Sequence, residues 1–224
     1  TVTANLSGAS PDGRYVVEVR NAAGSDWQEM RVLDLTTGES TGEVLEWVKF
    51  SGAAWVEGGF YYSRYPAPEG SAYSAENTFH SVYFHKVGTP QSEDELVFRN
   101  DDEPNRYHFC GTTEDGEYVV LNTSTGTDGN SLHVKSLKEG GADWMPLVEG
   151  FKHHSSLVEH VNGALYMLTD IGAPRYRLVA ADPADPSNTA LWRDILPESE
   201  DLLESVSVVG GQLWAIYLHN ASNR

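Results

Sequence analysis

Two phrases of eight residues in this chain of 224 residues are close copies of each other. Ser-Pro-Asp-Gly-Arg-Tyr-Val-Val begins at Ser10, and Thr-Glu-Asp-Gly-Glu-Tyr-Val-Val begins at Thr113. Each copy places an Asp-Gly pair, which suits turn positions with positive φ, directly before a run of β-forming residues. A repeated unit of turn and strand is therefore the feature that most limits the folds open to this chain.

Glycines mark further copies of this unit. A glycine stands directly before a short β-branched or aromatic run at five positions, Gly13, Gly59, Gly116, Gly163 and Gly211. Their intervals are roughly 45 to 60 residues, and a period of about 45 residues with four short strands is typical of a β-propeller blade. We therefore predict an all-β chain of four-stranded antiparallel blades, with about four to five blades in residues 1–224.

The remaining secondary-structure signals are weaker. A β-sandwich is the alternative architecture, but a sandwich would not repeat the Asp-Gly-x-Tyr-Val-Val phrase. Helical periodicity is scarce, and only Leu196 to Leu203 is predicted to form a helical turn. The longest glycine interval contains a stretch rich in Pro, Gly, Ser and Ala, residues 67–80, which is predicted to be an exposed loop.

Charge and cysteine content exclude several classes of protein. The formal net charge is −18, so the chain would repel a phosphate backbone and nucleic acid is not expected as a partner. The single cysteine excludes a disulfide framework and a cysteine-based zinc cluster. No apolar stretch is long enough to span a membrane.

The motifs of several enzyme classes are missing from the sequence. It contains no Gly-x-Ser-x-Gly, no His-Glu-x-x-His and no phosphate-binding Gly-x-x-x-x-Gly-Lys-Ser/Thr. Cys110 lies in a mostly apolar stretch and is interpreted as a structural thiol rather than a nucleophile. Five histidines are scattered over predicted strands and loops, so we expect neither a metal site nor a cofactor. They are His80, His85, His153, His154 and His160.

Two clusters of carboxylates raise the possibility of glycoside hydrolysis, which uses paired carboxylates. One is Asp101-Asp102-Glu103 and the other comprises Glu198, Glu200 and Asp201. Each lies beside a proline, so the sequence favours solvated turns at both places.

Several phrases, taken together and in order, closely resemble the propeller domain of prolyl oligopeptidases. The resemblance runs from about Ser10 to His219. It is carried by Gly24-Ser25-Asp26-Trp27, by Val48-Lys49-Phe50-Ser51-Gly52-Ala53-Ala54-Trp55, by Phe60-Tyr61-Tyr62-Ser63-Arg64-Tyr65-Pro66, by the run from His85 to Asp94, and by Asp102-Glu103-Pro104.

The resemblance implies a division of labour between two domains. In that family a seven-bladed propeller is inserted into an α/β-hydrolase domain, which carries the catalytic Ser, Asp and His. The propeller covers the active site and admits only short peptides, which are cut after proline. We therefore expect residues 1–224 to be part of a propeller, with no catalytic residue and no hydrolase domain.

The same resemblance implies partners, a location and site residues. The partners would be short proline-containing peptides and the hydrolase domain, in the cytoplasm, or in the periplasm or outside the cell if a signal peptide precedes Thr1. Tyr61, Tyr107 and Thr127 match positions that line the substrate cavity. The loop over residues 67–80 corresponds to a mobile loop at the domain interface.

Three functions are consistent with the sequence. The first is the lid of a prolyl oligopeptidase-like serine peptidase, which limits substrate size. The second is a stand-alone propeller that serves as a binding scaffold. The third is a propeller glycosidase, which would need inward-facing carboxylates that the two clusters do not obviously supply.

Overall fold

The computed structural model describes residues 2–22, 25–68, 77–138, 143–220 and 222–223. In these ranges the chain is almost entirely β-strand and turn, and the helices are two 3-10 turns, Gln91–Glu93 and Thr189–Leu191. Among the residues described, no helix has the length and apolar character needed to cross a membrane. The prediction of an all-β chain is confirmed.

The predicted helical turn from Leu196 to Leu203 is wrong. A strand ends at Leu196 and another begins at Leu202. Pro197 lacks an amide proton and so disfavours a helix here. Leu203 is buried, and its backbone N–H donates to the carbonyl of Arg175 at 3.0 Å, which holds the chain extended.

The chain divides into two compact units, Thr1–Thr112 and Thr113–Arg224. The strands of the first unit are β1 (Val2–Ala9), β2 (Tyr15–Ala22), β3 (Gln28–Asp34), β4 (Glu39–Val48), β5 (Ala54–Val56), β6 (Gly59–Arg64), β7 (Ser81–Lys86), β8 (Glu95–Phe98) and β9 (Tyr107–Thr112).

Two four-stranded antiparallel groups make up most of the first unit. Strands β1, β2, β3 and β4 pair in chain order, and so do β5, β6, β7 and β8. A single residue pair, Val48 with Arg64, connects β4 to β6 and joins the two groups. Each group has the four-stranded antiparallel arrangement predicted for a blade.

The second unit continues the same pattern. Its strands are β10 (Tyr118–Ser124), β11 (Asn130–Ser136), β12 (Met145–Val148), β13 (Ser155–Val161), β14 (Ala164–Thr169), β15 (Arg177–Ala181), β16 (Arg193–Leu196), β17 (Leu202–Val209), β18 (Gln212–His219) and β19 (Ser222–Asn223). Strands β10 to β12 pair in chain order, as do β13 to β16 and β17 to β19, and all are antiparallel.

The hydrophobic cores lie between neighbouring groups of strands. In the first unit one core joins Val17 and Met30, from the group β1 to β4, to Trp55 and Phe60, from the group that follows. Residues two apart on a strand point to the same face of the sheet, and this face is buried where the two groups of strands pack together. In the second unit the strands β10 to β12 share a core in the same way with β14 and β15.

The glycines of the repeat serve two different purposes. Gly13 and Gly116 both have φ of 69° in the turn before a strand, a conformation that favours glycine. Gly59 differs, because the positive φ belongs to Gly58, at 81°. Gly59 is the first residue of β6, and its backbone lies directly against the carbonyl of His85 on β7. There is no space for a side chain at this position.

We expect Gly59→Ala to destabilise the first unit by about 2 kcal/mol or more, because a methyl group there would overlap backbone atoms. The added Cβ would meet the carbonyl oxygen of His85 and would lie 2.7 Å from Cζ of Phe84. Urea denaturation followed by tryptophan fluorescence measures the change.

Gly111→Ala on β9 is the matched control. A Cβ at Gly111 would meet no atom within 4 Å, and Gly111 is not among the residues with positive φ. This variant should unfold at the same urea concentration as the parent chain or at a slightly higher one. Equal stability of both variants would contradict the close approach at Gly59.

Candidate functional site

An aromatic cluster lies where three connections of the first unit meet. The backbone N–H of Tyr65 donates to the carbonyl of Trp47 at 3.0 Å, and that of Phe79 donates to Pro104 at 2.7 Å. These bonds bring together the end of β4, the connection between β6 and β7, and the chain before β9. The aromatic cluster comprises Trp27, Trp47, Phe50, Tyr65, His80, Tyr107 and Phe109.

Edge-to-face contacts connect the rings of the cluster. Trp27 contacts Trp47 and Tyr65, with ring centroids 5.6 and 6.0 Å apart. The ammonium of Lys49 lies 4.1 Å from the centre of a Trp27 ring, within cation–π distance. At the other end, His80 lies 4.8 Å from Tyr65 and 6.0 Å from Tyr107. The cluster thus combines buried rings and the buried ammonium of Lys49 with the exposed ring of Phe50.

Three aromatic residues in or beside the aromatic cluster have strained backbones. Trp47, Phe50 and Phe79 have φ of 63°, 53° and 63°. Bulky residues rarely adopt this left-handed region, and such strain tends to concentrate at functional sites. The strained backbone therefore supports a functional interpretation of this surface.

His80 is the buried centre of the cluster. Its Nδ1 accepts a hydrogen bond from the backbone N–H of His108 at 3.0 Å, so its Nε2 carries the proton and donates to the carbonyl of Lys49 at 3.1 Å. Burial lowers the pKa of His80 to about 4, although the bond to Lys49 opposes the shift. His80 is therefore neutral near pH 7 and links the chain after β4 to strand β9.

The three predicted cavity residues lie in different settings. Tyr107 belongs to the aromatic cluster and is half-buried. Tyr61 is half-buried on β6, and its ring lies 5.1 Å from Phe84 on the opposite face from Phe60. Burial is the main cause of the raised pKa of Tyr61, and the nearby Cys110 and Glu95 raise this pKa further.

Thr127 is exposed in the bend between β10 and β11, within the second unit. No aromatic contact described in the structure joins Tyr61 to Tyr107. A shared role in lining a cavity therefore stays a prediction for all three residues.

The predicted exposed loop lies partly outside the described residues, since only 67–68 and 77–80 of its 67–80 range are described. Its last residue, His80, is buried in the aromatic cluster rather than exposed. The described end of the loop is therefore fixed by packing.

Both carboxylate clusters lie in exposed turns with local partners. Asp101 forms an ion pair with Arg99 at 2.5 Å, and Glu103 pairs with Arg106 at 3.1 Å. In the second unit, Glu198 accepts the backbone N–H of Arg175. These contacts are consistent with the interpretation of solvated turns.

Asp201, in the second carboxylate cluster, accepts a hydrogen bond from His219 at 2.6 Å.

Cys110 lies on β9 and is partly exposed as a residue, but burial of its thiol group raises the pKa of that thiol. A raised pKa keeps the thiol protonated, which agrees with a structural thiol.

A buried charged network was not foreseen from the sequence. Nδ1 of His85 lies 2.7 Å from Asp94 and Nε2 lies 3.9 Å from Glu43, with all three side chains almost fully buried. Burial alone would lower the pKa of His85, but the two carboxylates outweigh it and raise the pKa to about 9. The network links β4 and β7, which belong to neighbouring groups of strands.

A second group was also missed. Asp115, Glu117 and His160 each place one metal-ligating atom within 4.8 Å of the others. The expectation that the histidines are merely scattered does not hold for His160. The sequence signal for this group was limited to Glu117, which takes the place of Arg14 when the two copies of the repeated phrase are aligned. The equivalence of His160 and Trp55 follows from the strand pairing.

Comparison with known proteins places the whole chain in one family. The sequence profile of the prolyl oligopeptidase N-terminal β-propeller domain matches residues 2–224. A prolyl endopeptidase of Elizabethkingia meningoseptica is 37% identical over 211 residues, which covers 93% of this chain and 30% of that protein. A prolyl endopeptidase of Elizabethkingia miricola is also 37% identical, over 99% of this chain and 31% of its own length.

Solved structures confirm the propeller fold. A structure from a study of two prolyl endopeptidases and their inter-domain dynamics matches with a TM-score of 0.87 and 33% identity, over 99% of this chain and 32% of the other. Prolyl oligopeptidase B from Galerina marginata, bound to a 25mer macrocyclization substrate, matches with a TM-score of 0.89 and 26% identity, over 99% and 33%. The chain thus spans about a third of the length of these relatives.

We expect the His80 imidazole to remain neutral at pH values where an exposed histidine becomes charged. Its contribution to stability is present above pH 6.5 and is lost as the pH falls towards 4, because the unfolded chain binds the proton first. An NMR titration of the imidazole carbon-bound protons, with His80→Asn used for assignment, should give a midpoint near 4. A midpoint above pH 6 would contradict the buried neutral ring.

The His85 network should give the opposite pH dependence. Because the pKa of His85 is raised from 6.5 to about 9, its contribution is complete below pH 6.5 and disappears as the pH rises through 9. The loss should be about 3 kcal/mol, and His85→Gln should remove that slope. Urea denaturation at pH 6 and pH 9.5 measures the difference.

His154→Gln, at an exposed position, is the control and should keep the parent slope. If His85→Gln also retained the parent slope, the buried charge would not be responsible.

Proposed function

Because this chain belongs to the prolyl oligopeptidase family, as its N-terminal β-propeller domain, we propose that it is the lid of a serine peptidase that cuts short peptides after proline. The observation that carries this proposal is the match over residues 2–224, supported by 37% identity to two prolyl endopeptidases. The partners proposed are short proline-containing peptides and an α/β-hydrolase domain, which would supply the catalytic Ser, Asp and His.

The proposed contribution of this chain is selection by size. Peptide bonds occur in every protein, so a peptidase that acts among folded proteins needs a steric barrier at its entrance. A rigid array of paired sheets provides such a barrier without taking part in the chemistry. Opening of the connections would then control the entry of substrate.

The aromatic cluster is the surface of the first unit that best fits this role. Its rings offer flat apolar faces, on which a proline ring or an apolar side chain of a partner domain can pack. The strained φ values at Trp47, Phe50 and Phe79 support a surface kept for contacts. We propose that Tyr107, within this cluster, and Tyr61 and Thr127 line the substrate cavity.

The competing glycosidase hypothesis has little support from the described carboxylates. Asp101 and Glu103 are paired with arginines at the surface, which fits a solvated turn better than a buried catalytic acid. The stand-alone scaffold has less support, because the two relatives that match this chain at 37% identity are named prolyl endopeptidases.

We expect the protein that contains this chain to release a chromogenic group placed directly after proline in a short peptide. With a series of unstructured peptides that share one proline site, kcat/KM should fall steeply as the length increases. The falling rate would reflect exclusion at the entrance, because the scissile sequence is constant. Equal rates for the short peptide and for an unfolded protein would contradict the lid role.

Two surface variants sharpen this assay. Asp102→Ala with Glu103→Ala should leave proline-specific cleavage within about twofold, since both side chains are exposed. The second variant is Thr127→Ala, and we expect it to raise KM for the proline peptide. Because the Thr127 side chain is exposed, a raised KM would reflect lost substrate contact rather than misfolding. An unchanged KM would remove Thr127 from the proposed lining.

A further inference from the structure

Three residues with metal-binding side chains meet at one end of the second unit. Asp115 lies in the turn before β10, Glu117 follows two residues later, and His160 lies near the end of β13. Nδ1 of His160 is 2.6 Å from Oδ2 of Asp115 and 3.6 Å from Oε2 of Glu117. Their potential ligand atoms all lie within 4.8 Å of one another.

Two of the three side chains are held in place by the fold. Oδ1 of Asp115 accepts hydrogen bonds from Oγ1 of Thr113 at 2.7 Å and from the backbone N–H of Glu117 at 2.9 Å, so Oδ2 is the oxygen that faces the imidazole. The His160 side chain is only 10% exposed, and its ring packs 4.9 Å from Tyr118. Because these two side chains are already ordered, less conformational entropy is lost when an ion binds.

The internal repeat shows that packing alone does not require a histidine here. Trp55 pairs with Phe60 across the turn from β5 to β6, and His160 pairs with Leu165 across the equivalent turn from β13 to β14. In the first repeat the equivalent position is therefore filled by a buried indole that belongs to the hydrophobic core.

A second position changes in the same direction. Arg14 follows the Asp-Gly pair of the first repeat and forms an ion pair with Asp34 at 3.1 Å. Glu117 stands at this position in the later copy. Around an aspartate present in both copies, the later one has thus replaced an indole and a guanidinium by an imidazole and a carboxylate, both of which bind metals.

The charge around the three residues also favours a cation. The carboxylate of Glu159 lies close enough to be influenced by those of Asp115 and Glu114. The carboxylates of Glu117 and Asp115 both act on Tyr118. Lys138 supplies one positive charge, with its Nζ 2.9 Å from Oε2 of Glu117. A dication would neutralise more of this negative charge than one ammonium does.

We propose that Asp115, Glu117 and His160 bind a divalent transition-metal ion of the zinc class, with water at the remaining positions. One imidazole nitrogen and two carboxylate oxygens form a donor set that zinc accepts, with bonds of about 2.0 to 2.2 Å. Binding takes the lone pair of Nδ1, so the proton that Nδ1 shares with Asp115 leaves for solvent or Nε2 becomes the protonated nitrogen. The ammonium of Lys138 moves away from Glu117.

The ion would tie the turn at residues 113–117 to strand β13. Its role is structural and independent of peptide cleavage, so the site and the proposed peptidase function can fail separately. The expected consequence is a higher melting temperature with zinc than with a chelator.

Isothermal titration of Zn²⁺ into the full chain, after removal of metals with EDTA, tests the proposal. We expect one saturable equivalent whose affinity falls at least about tenfold in His160→Gln and in Glu117→Gln. Titration with Co²⁺ should give visible absorption bands that both variants lose. Asp12→Asn, at the equivalent aspartate of the first repeat, is the matched control and should leave both signals unchanged.

Glu117→Gln guards against misfolding, because this side chain is partly exposed and its loss removes no core packing. The urea transition of each variant in EDTA verifies that the fold is intact. The proposal is overturned if Zn²⁺ shows no saturable binding, or if it binds both variants as tightly as the parent chain. The latter result would place the ion at other histidines.

Discussion

The packing of each four-stranded sheet against the next is the constraint on which the rest of this structure depends. A sheet of this size has an apolar face that it cannot bury by itself. In the first unit the residues buried together come from two neighbouring groups of strands, with Val17 and Met30 on one side and Phe60 on the other. The second unit has the same arrangement, in which Leu132 and Val134 pack against Leu165 and Met167. Stability thus resides between sheets rather than within them.

Polar contacts strengthen the same junctions. The charged network of His85, Asp94 and Glu43 reaches from one group of strands to its neighbour, and the aromatic cluster does so through the connections. Desolvation of the buried charges offsets part of their attraction, and the raised pKa of His85 reflects the part that remains. The network's position between two sheets is consistent with a role in setting how they align.

The features that the sequence predicts are those with a local cause. Strands and turns follow from short runs of β-forming residues and from glycines at positive φ, as at Gly13 and Gly116. The blade pattern could therefore be predicted from the repeat. The helical turn proposed from Leu196 was wrong because Pro197 disfavours a helix and the backbone N–H of Leu203 bonds instead to the carbonyl of Arg175. Gly59 was correctly singled out, but its role is close approach to β7 rather than an unusual φ.

The contacts within the site could not be predicted from the sequence, because its residues come together only in the tertiary structure. His80 receives its partners from the chain near Lys49 and from His108, which no local pattern joins to it. His85 similarly lies beside Glu43, far away in sequence. The repeat in the sequence identifies Glu117 as a departure from Arg14, but the match of His160 to Trp55 is evident only from the pairing of the strands.

Phe50 is a residue whose exposure and backbone conformation both reduce the stability of the first unit. Its side chain is 57% exposed, although it is a large apolar group, and its backbone has φ of 53°. A glycine there would relieve the backbone and a polar residue would suit the water, so folding alone favours neither the ring nor its conformation. Improving the stability of this domain by redesign would therefore begin at Phe50, and such a redesign would remove the feature least explained by stability.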